Sequence, residues 1–195
     1  MVDILQPLEP VLASRIAETL IDRFGSLAAV LAADPTARAR AVPDHPVAMA
    51  HLQTMHDAVL HALRTEMESA PLLTSMKATV DYLRLLIAQE LAEQFRVLFL
   101  DTHGRLIREE MISRGSVHEA PVYPREIMRR ALELGATILI LVHNHPSGDP
   151  APSQQDLRIT QRLINAGHEL DIAIHDHIIV TRCGWASLRA LGAIQ

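Results

Sequence analysis

Apolar positions recur at helical spacing through the first third of the chain and shift to short continuous runs afterwards. Leu12, Ile16, Leu20, Ile21 and Phe24 keep a helical rhythm, Gly25-Ser26 breaks it, and Leu27, Val30 and Leu31 resume it. This predicts helix, glycine stop, helix. A further helix carries His51, His56 and His61 and is predicted to end near Ala70-Pro71, because the residue before a proline is pushed out of the helical region. The boundary is placed between Glu68 and Thr74, giving a small helical module over 1–70 and a second domain over 74–195.

The second domain reads as alternating helices and strands. Met76 to Gln94 is predicted helical, with Val80, Leu83, Ile87 and Leu91 as its apolar stripe. Phe95 to Leu100 is β-prone, Asp101-Thr102-His103-Gly104 is turn chemistry, and Arg105 to Ile112 can return as a hairpin arm. Pro124 suits a first helical turn, so a helix over Arg125–Leu134 ends at Gly135. The apolar run Thr137–Val142 reads as a buried strand. A helix then starts after Ser153, carries Leu157, Thr160, Leu163 and Ile164, and ends near Gly167; Leu170–Ile174 and Ile178–Thr181 are further strand candidates. The expected fold class is α/β.

With 195 residues and 49% hydrophobic composition, the chain can bury one sizeable core and a small accessory module. Aromatic residues make up only 3%, which argues against base-stacking platforms for single-stranded nucleic acid. A net charge of −5 supplies no general basic field. The single cysteine, Cys183, excludes an intrachain disulfide and a cysteine-rich zinc site, and is expected to be structural. Neither a secretory signal nor a membrane-length apolar run is present, so a cytoplasmic location is expected.

The chemistry concentrates in His143-Asn144-His145-Pro146-Ser147-Gly148-Asp149-Pro150-Ala151-Pro152-Ser153-Gln154-Gln155-Asp156. Alternation along a strand places His143 and His145 on one face and Asn144 on the other. Pro146 ends the strand, Ser147 to Pro150 form a loop, and Ser153 stands at the N-cap of the next helix with Asp156 in its first turn. Two imidazoles and a carboxylate suit zinc and leave one tetrahedral position for water, whose pKa the metal lowers from about 15.7 to about 7. Ser-x-x-Asp is also a capping-box pattern, and capping alone explains that pair. It does not explain two histidines closing an apolar strand, which are costly to bury without partners.

His-x-His followed by Ser-x-x-Asp resembles the JAMM signature of MPN-domain metalloproteases, and the wording His-Asn-His-Pro-Ser-Gly-Asp-Pro resembles the RadC-like branch. The resemblance runs from about Thr74 onward and includes Gln94 to Asp101, Pro124 to Ile127 and Asp176 to Ile179. It implies an MPN-type α-β-α sandwich, related in architecture to cytidine deaminases, and a zinc metallopeptidase acting on a protein or peptide substrate at a peptide or isopeptide bond. It further implies His143, His145 and Asp156 as zinc ligands and Ser153 as donor to the oxyanion. Glu93 is implied as the general acid/base, with Glu90 its competitor.

Arg23-Phe24-Gly25-Ser26-Leu27 resembles half of a helix-hairpin-helix module, which in other proteins grips DNA phosphates. Where the second hairpin would stand, Val42-Pro43-Asp44-His45-Pro46-Val47 lacks the glycines. Residues 1 to 68 hold five basic against nine acidic residues, which disfavours phosphate binding. A degenerate module contacting protein is the expectation, and the rival function is a non-catalytic scaffold in DNA metabolism.

His51, His56 and His61, five residues apart, do not share a helical face and are read as solvated or interfacial. Arg125, Arg129 and Arg130 are read as a solvated helix face. In the second His-x-His, Asp176 and His177 are expected either to support the site or to be structural, with His175 as a lesser candidate for a metal contact. A zinc deaminase is excluded by the missing Pro-Cys-x-x-Cys, and a zincin by the missing His-Glu-x-x-His.

Overall fold

The structure is a computed structural model that describes residues 1–74, 76–115 and 122–194. It divides into two compact units, Met1–Leu63 and Arg64–Gln195.

The first unit is helical: α1 (Val2–Leu5), α2 (Ala13–Phe24), α3 (Leu27–Ala32), α4 (Pro35–Ala41) and most of α5 (Pro46–Ser69). Gly25, at φ 90°, stops α2, and Ser26 restarts the chain by accepting from Ala29 N at the head of α3. Asp34 caps α4 in the same way. Ile16, Leu20, Val30 and Leu52 form the core. Arg38 is buried among them, donating to Val30 O at 3.3 Å, to Leu31 O at 3.0 Å and to Gln53. It satisfies carbonyls at the end of α3 that have no partner within that helix.

The second unit continues with a 3-10 turn (Leu72–Thr74), α6 (Met76–Ile87), β1 (Gln94–Leu100), β2 (Leu106–Arg114), α7 (Pro124–Leu134), β3 (Ile138–Asn144), α8 (Gln154–His168), β4 (Ala173–Val180) and β5 (Trp185–Ser187). The sheet order is β2-β1-β3-β4-β5, antiparallel except for the parallel pair β3–β4. Parallel neighbours need a crossover, and α8 supplies it. The N-terminus of α8 therefore begins at the edge of the sheet where β3 ends.

Alternation divides the sheet residues between two layers. Phe95, Val97, Phe99, Leu139 and Leu141 face α7 and α8, packing with Ile127, Met128, Ala131 and Leu163. The opposite face carries Glu109, which accepts from Tyr82 of α6 at 2.8 Å, and Asn144, which holds the chain just after α6. The arrangement is the expected α-β-α sandwich around a mixed sheet.

Three local expectations differ from the structure. The helix expected to reach Gln94 ends at Ile87, and Leu91, assigned to its apolar stripe, is 86% exposed. After Ile87 the chain is taken over by Asn144, whose side chain accepts from Gln94 N at 2.7 Å and donates to Glu90 O and Ala92 O, both at 3.2 Å. Next, the two strand candidates near the C-terminus are one strand, β4, because buried Asp176 and His177 have hydrogen-bond partners and so continue the ladder. Finally, β5 was not anticipated; it is three residues long and pairs with the end of β4.

Candidate metal centre

His143 lies near the end of β3 and His145 follows that strand; both project onto the α8 side. Backbone pairing continues past the strand, with His145 N donating to Val180 O at 3.2 Å. The chain then turns over the site through Gly148, at φ 90°, where a Cβ would stand 3.3 Å from Arg182 Nε and 3.5 Å from Cys183 Sγ. Cys183 is exposed on the turn between β4 and β5, not part of the core. The loop returns at Ser153, which caps α8 and brings Asp156 beneath the two imidazoles.

Ligand-type atoms of His143, His145 and Asp156 all lie within 4.8 Å of one another, the one such group among the described residues. His143 Nε2 is 3.2 Å from Asp156 Oδ1, and His145 Nε2 is 3.5 Å from Asp156 Oδ2. The two Nε2 atoms are 2.8 Å apart. The other ring nitrogen of His145, Nδ1, is 2.8 Å from Asp149 O, a carbonyl that can only accept. Nδ1 of His145 therefore carries a proton, and its Nε2 presents a lone pair to the cluster whenever the ring is neutral.

Phe95 stacks on His143 at 6.2 Å between ring centres and meets His177 edge-on at 5.6 Å, closing the inner side with an apolar wall. Burial alone would push the Asp156 carboxyl up, but its close contacts with His143 and His145 and the hydrogen bond from Ser153 outweigh it and hold the group well below the usual carboxylate range. His145 is raised, chiefly by its hydrogen bond with Asp156, against opposing burial and with the charge of Glu93 adding to the shift. The cluster could hold a metal ion.

A family model described as RadC-like JAB domain matches residues 73–193, more than half of the chain. The chain belongs to the RadC-like JAB domain family. The matched span contains the whole sheet, α6 to α8 and the His-His-Asp cluster, and in the JAB domain the cluster stands where the crossover helix meets the end of β3.

The remaining sequence candidates in this JAB domain fall into distinct places. Glu90 is bound through its carboxylate by Arg114 at 3.1 Å, whereas Glu93 contributes electrostatically at His145. Ser153 forms a full capping box. Its Oγ donates to Asp156 Oδ2 at 2.6 Å and accepts from Asp156 N at 3.2 Å, while Ser153 N also donates to Oδ2 at 2.7 Å. Capping and clustering, weighed as rivals in the sequence, coexist because the cap holds Asp156 through Oδ2 while Oδ1 faces His143.

His177 is fully buried against His143, with Nε2 2.8 Å from His143 Nδ1 and Nδ1 2.6 Å from Thr160 Oγ1. Burial holds its pKa well below the ordinary imidazole value. Asp176 faces the other layer and accepts from His177 N, Arg189 N and Ser187 Oγ. His175 does not share the face of His177: Leu139 pairs with Ile174 and Ile140 with Asp176, so His175 is the extra residue of a β-bulge. It stands outside the metal-type cluster, and its carbonyl accepts from Arg189.

Thr160 and Asn144 went unassigned in the sequence. Thr160 stands one helical turn beyond Asp156, which was the available signal for it; nothing in the sequence marked the partners of Asn144.

Arg129 pairs with Glu126 and Glu133, and Arg130 with Glu110 and Glu133, so the α7 arginines form a neutralised surface lattice. In the helical unit His45 pairs with Glu9 at 3.1 Å, placing a carboxylate beside the Pro-rich turn that replaces the second hairpin. His51 and His56 are half-buried and His61 is exposed. No helix among the described residues is long and apolar enough to cross a membrane.

Proposed function

We propose that the protein is a zinc-dependent hydrolase of a peptide or isopeptide bond, with His143, His145 and Asp156 as the ligands. The observation carrying this reading is the convergence of two imidazole Nε2 atoms and a carboxylate within 4.8 Å, with His145 held by Asp149 O so that its lone pair points inward. Two nitrogen donors and one oxygen donor form a three-ligand set of the kind that catalytic zinc sites use. Bound there, zinc would polarise the scissile carbonyl and lower the pKa of a coordinated water toward about 7.

The remaining work belongs to the chain. Glu93, whose charge is felt at His145 while Glu90 is occupied by Arg114, accepts the proton of the attacking water and delivers it to the leaving amine. Ser153 donates to the developing oxyanion after its hydroxyl turns away from Asp156 Oδ2, while Ser153 N continues to hold that carboxylate. Phe95 keeps the inner side of the site dry. The substrate class is an extended protein or peptide segment.

Metal analysis of protein purified without added metal or chelator tests the site. About one zinc per chain is expected in the wild type and in His175→Ala, with loss in His143→Ala. Peptide or isopeptide hydrolysis should be abolished by chelation and by Glu93→Gln. Hydrolysis that survives either treatment refutes the mechanism.

A further inference from the structure

Resting on the metal reading above, we propose that His177 and Thr160 are positioning residues that lock His143 in the tautomer presenting its Nε2 lone pair to the cluster.

The order of protons follows from one end of a hydrogen-bond chain. Thr160 Oγ1 is 2.5 Å from Asp156 O, the carbonyl one turn earlier in α8. Two oxygens at that distance need a proton between them, and a carbonyl has none to give. The Thr160 hydroxyl therefore donates to Asp156 O, and towards His177 Nδ1, 2.6 Å away, it can only accept. His177 Nδ1 carries the proton, and its Nε2 is the acceptor. His143 Nδ1, 2.8 Å from that Nε2, must then be the donor. His143 Nε2 is left as a lone pair facing His145 Nε2 and Asp156 Oδ1.

The chain starts and ends on two members of the cluster, leaving His143 through its ring and returning to Asp156 through its backbone. Its importance lies in the state it excludes. A histidine free to exchange tautomers would place its proton on Nε2 and donate to Asp156 Oδ1, 3.2 Å away, giving a self-satisfied pair with no call for metal. Reversing the order would leave Thr160 Oγ1 and Asp156 O in contact with no proton between them. His177 is fully buried and hydrogen-bonded at both ring nitrogens, so the ring has no room to flip without breaking the chain.

Ring-nitrogen NMR on metal-free wild-type protein reads the tautomers directly. Protons on Nδ1 of both His143 and His177 are expected. A proton on Nε2 of His143 overturns the proposal, and this holds whether or not zinc binds, which separates its failure from failure of the metal reading. Zinc affinity by chelator competition is the second arm. Thr160→Val should weaken binding by roughly 10–100-fold, the usual cost of losing a group that orients a ligand, and Thr160→Ser, which keeps the hydroxyl, should restore it. Wild-type affinity in a folded Thr160→Val protein overturns the role of Thr160. If that variant does not fold, the wild-type tautomers decide.

Discussion

Replacing Asn144 with alanine should detach the segment carrying Glu93 while leaving both histidines in place. Asn144 is fully buried on the α6 face, opposite the imidazoles that flank it in sequence, and its amide makes three hydrogen bonds to residues 90–94. The bond from Gln94 N is the shortest of them, and Gln94 is itself only 5% exposed, so losing its acceptor strands a buried N–H at a cost of about 1–3 kcal/mol. Glu90 O and Ala92 O lie in half-buried surroundings that water can reach, and losing their donor adds about 0.5–1 kcal/mol each. The sum is about 2–5 kcal/mol. Urea denaturation should show that loss with an unchanged m value, and hydrogen exchange should show faster exchange at Gln94 N. Asn144→Asp should be no milder, because it keeps the acceptor for Gln94 N but turns an oxygen toward two carbonyls. Zinc content should stay at the wild-type level while hydrolysis falls. Stability within about 0.5 kcal/mol of wild type, or unchanged protection at Gln94, would refute this account of how the segment is held.

Three further outcomes follow from geometry elsewhere. In Gly167→Ala the new Cβ would stand 2.2 Å from Ile172 O, a backbone atom that cannot step aside, so a destabilisation of about 1–3 kcal/mol should exceed the helix-propensity gain of about 1 kcal/mol; a raised melting temperature would contradict this. Asp176→Ala removes the acceptor of three donors at a buried site and should cost about 3–5 kcal/mol in chemical denaturation, with Asp176→Asn much milder; equal losses would show that charge, not hydrogen bonding, matters there. The hydrogen bond from Arg130 holds the Glu110 carboxyl below its usual value, so its contribution is complete above the unfolded carboxylate pKa and fades as pH falls through the lower folded one. Arg130→Gln should reduce that acid-side dependence by a small amount, since the pair is partly exposed, and an unaltered pH–stability profile would remove the pair from the account.

The His143–Asp156 stretch was legible because its parts are local: alternation put both histidines on one face, prolines forced the loop, and Ser153 marked a helix start that returned Asp156. Hairpin, α7 and β3 followed from periodicity and punctuation in the same way. What the sequence did not reveal depends on partners far along the chain. The α6 helix stops short because of an asparagine more than fifty residues later, which no local propensity for residues 88–94 registers. β4 spans two separate strand candidates because no apolar run crosses His175-Asp176-His177. They are tolerated inside a strand because Ser187, Arg189, Thr160 and His143 meet them in space. Thr160 fits a helical stripe as well as Val would, and only the closeness of α8 to β4 brings its hydroxyl to His177.

The bulge at His175 makes the length of β4 matter more than the identity of that residue. Ile174 lies with the α8 layer, Asp176 with the opposite one and His177 again with the first, a sequence of faces that simple alternation cannot produce without one supernumerary residue. His175 behaves as a spacer that resets phase, with its own side chain half-buried and only its carbonyl engaged by Arg189. Many residues should serve at that position, whereas none can be omitted: a chain shortened by one there would have to turn either Ile172 and Ile174 out of the core or His177 away from His143. Tolerance to substitution combined with intolerance to deletion is a pattern that a survey of variants at a single codon can detect.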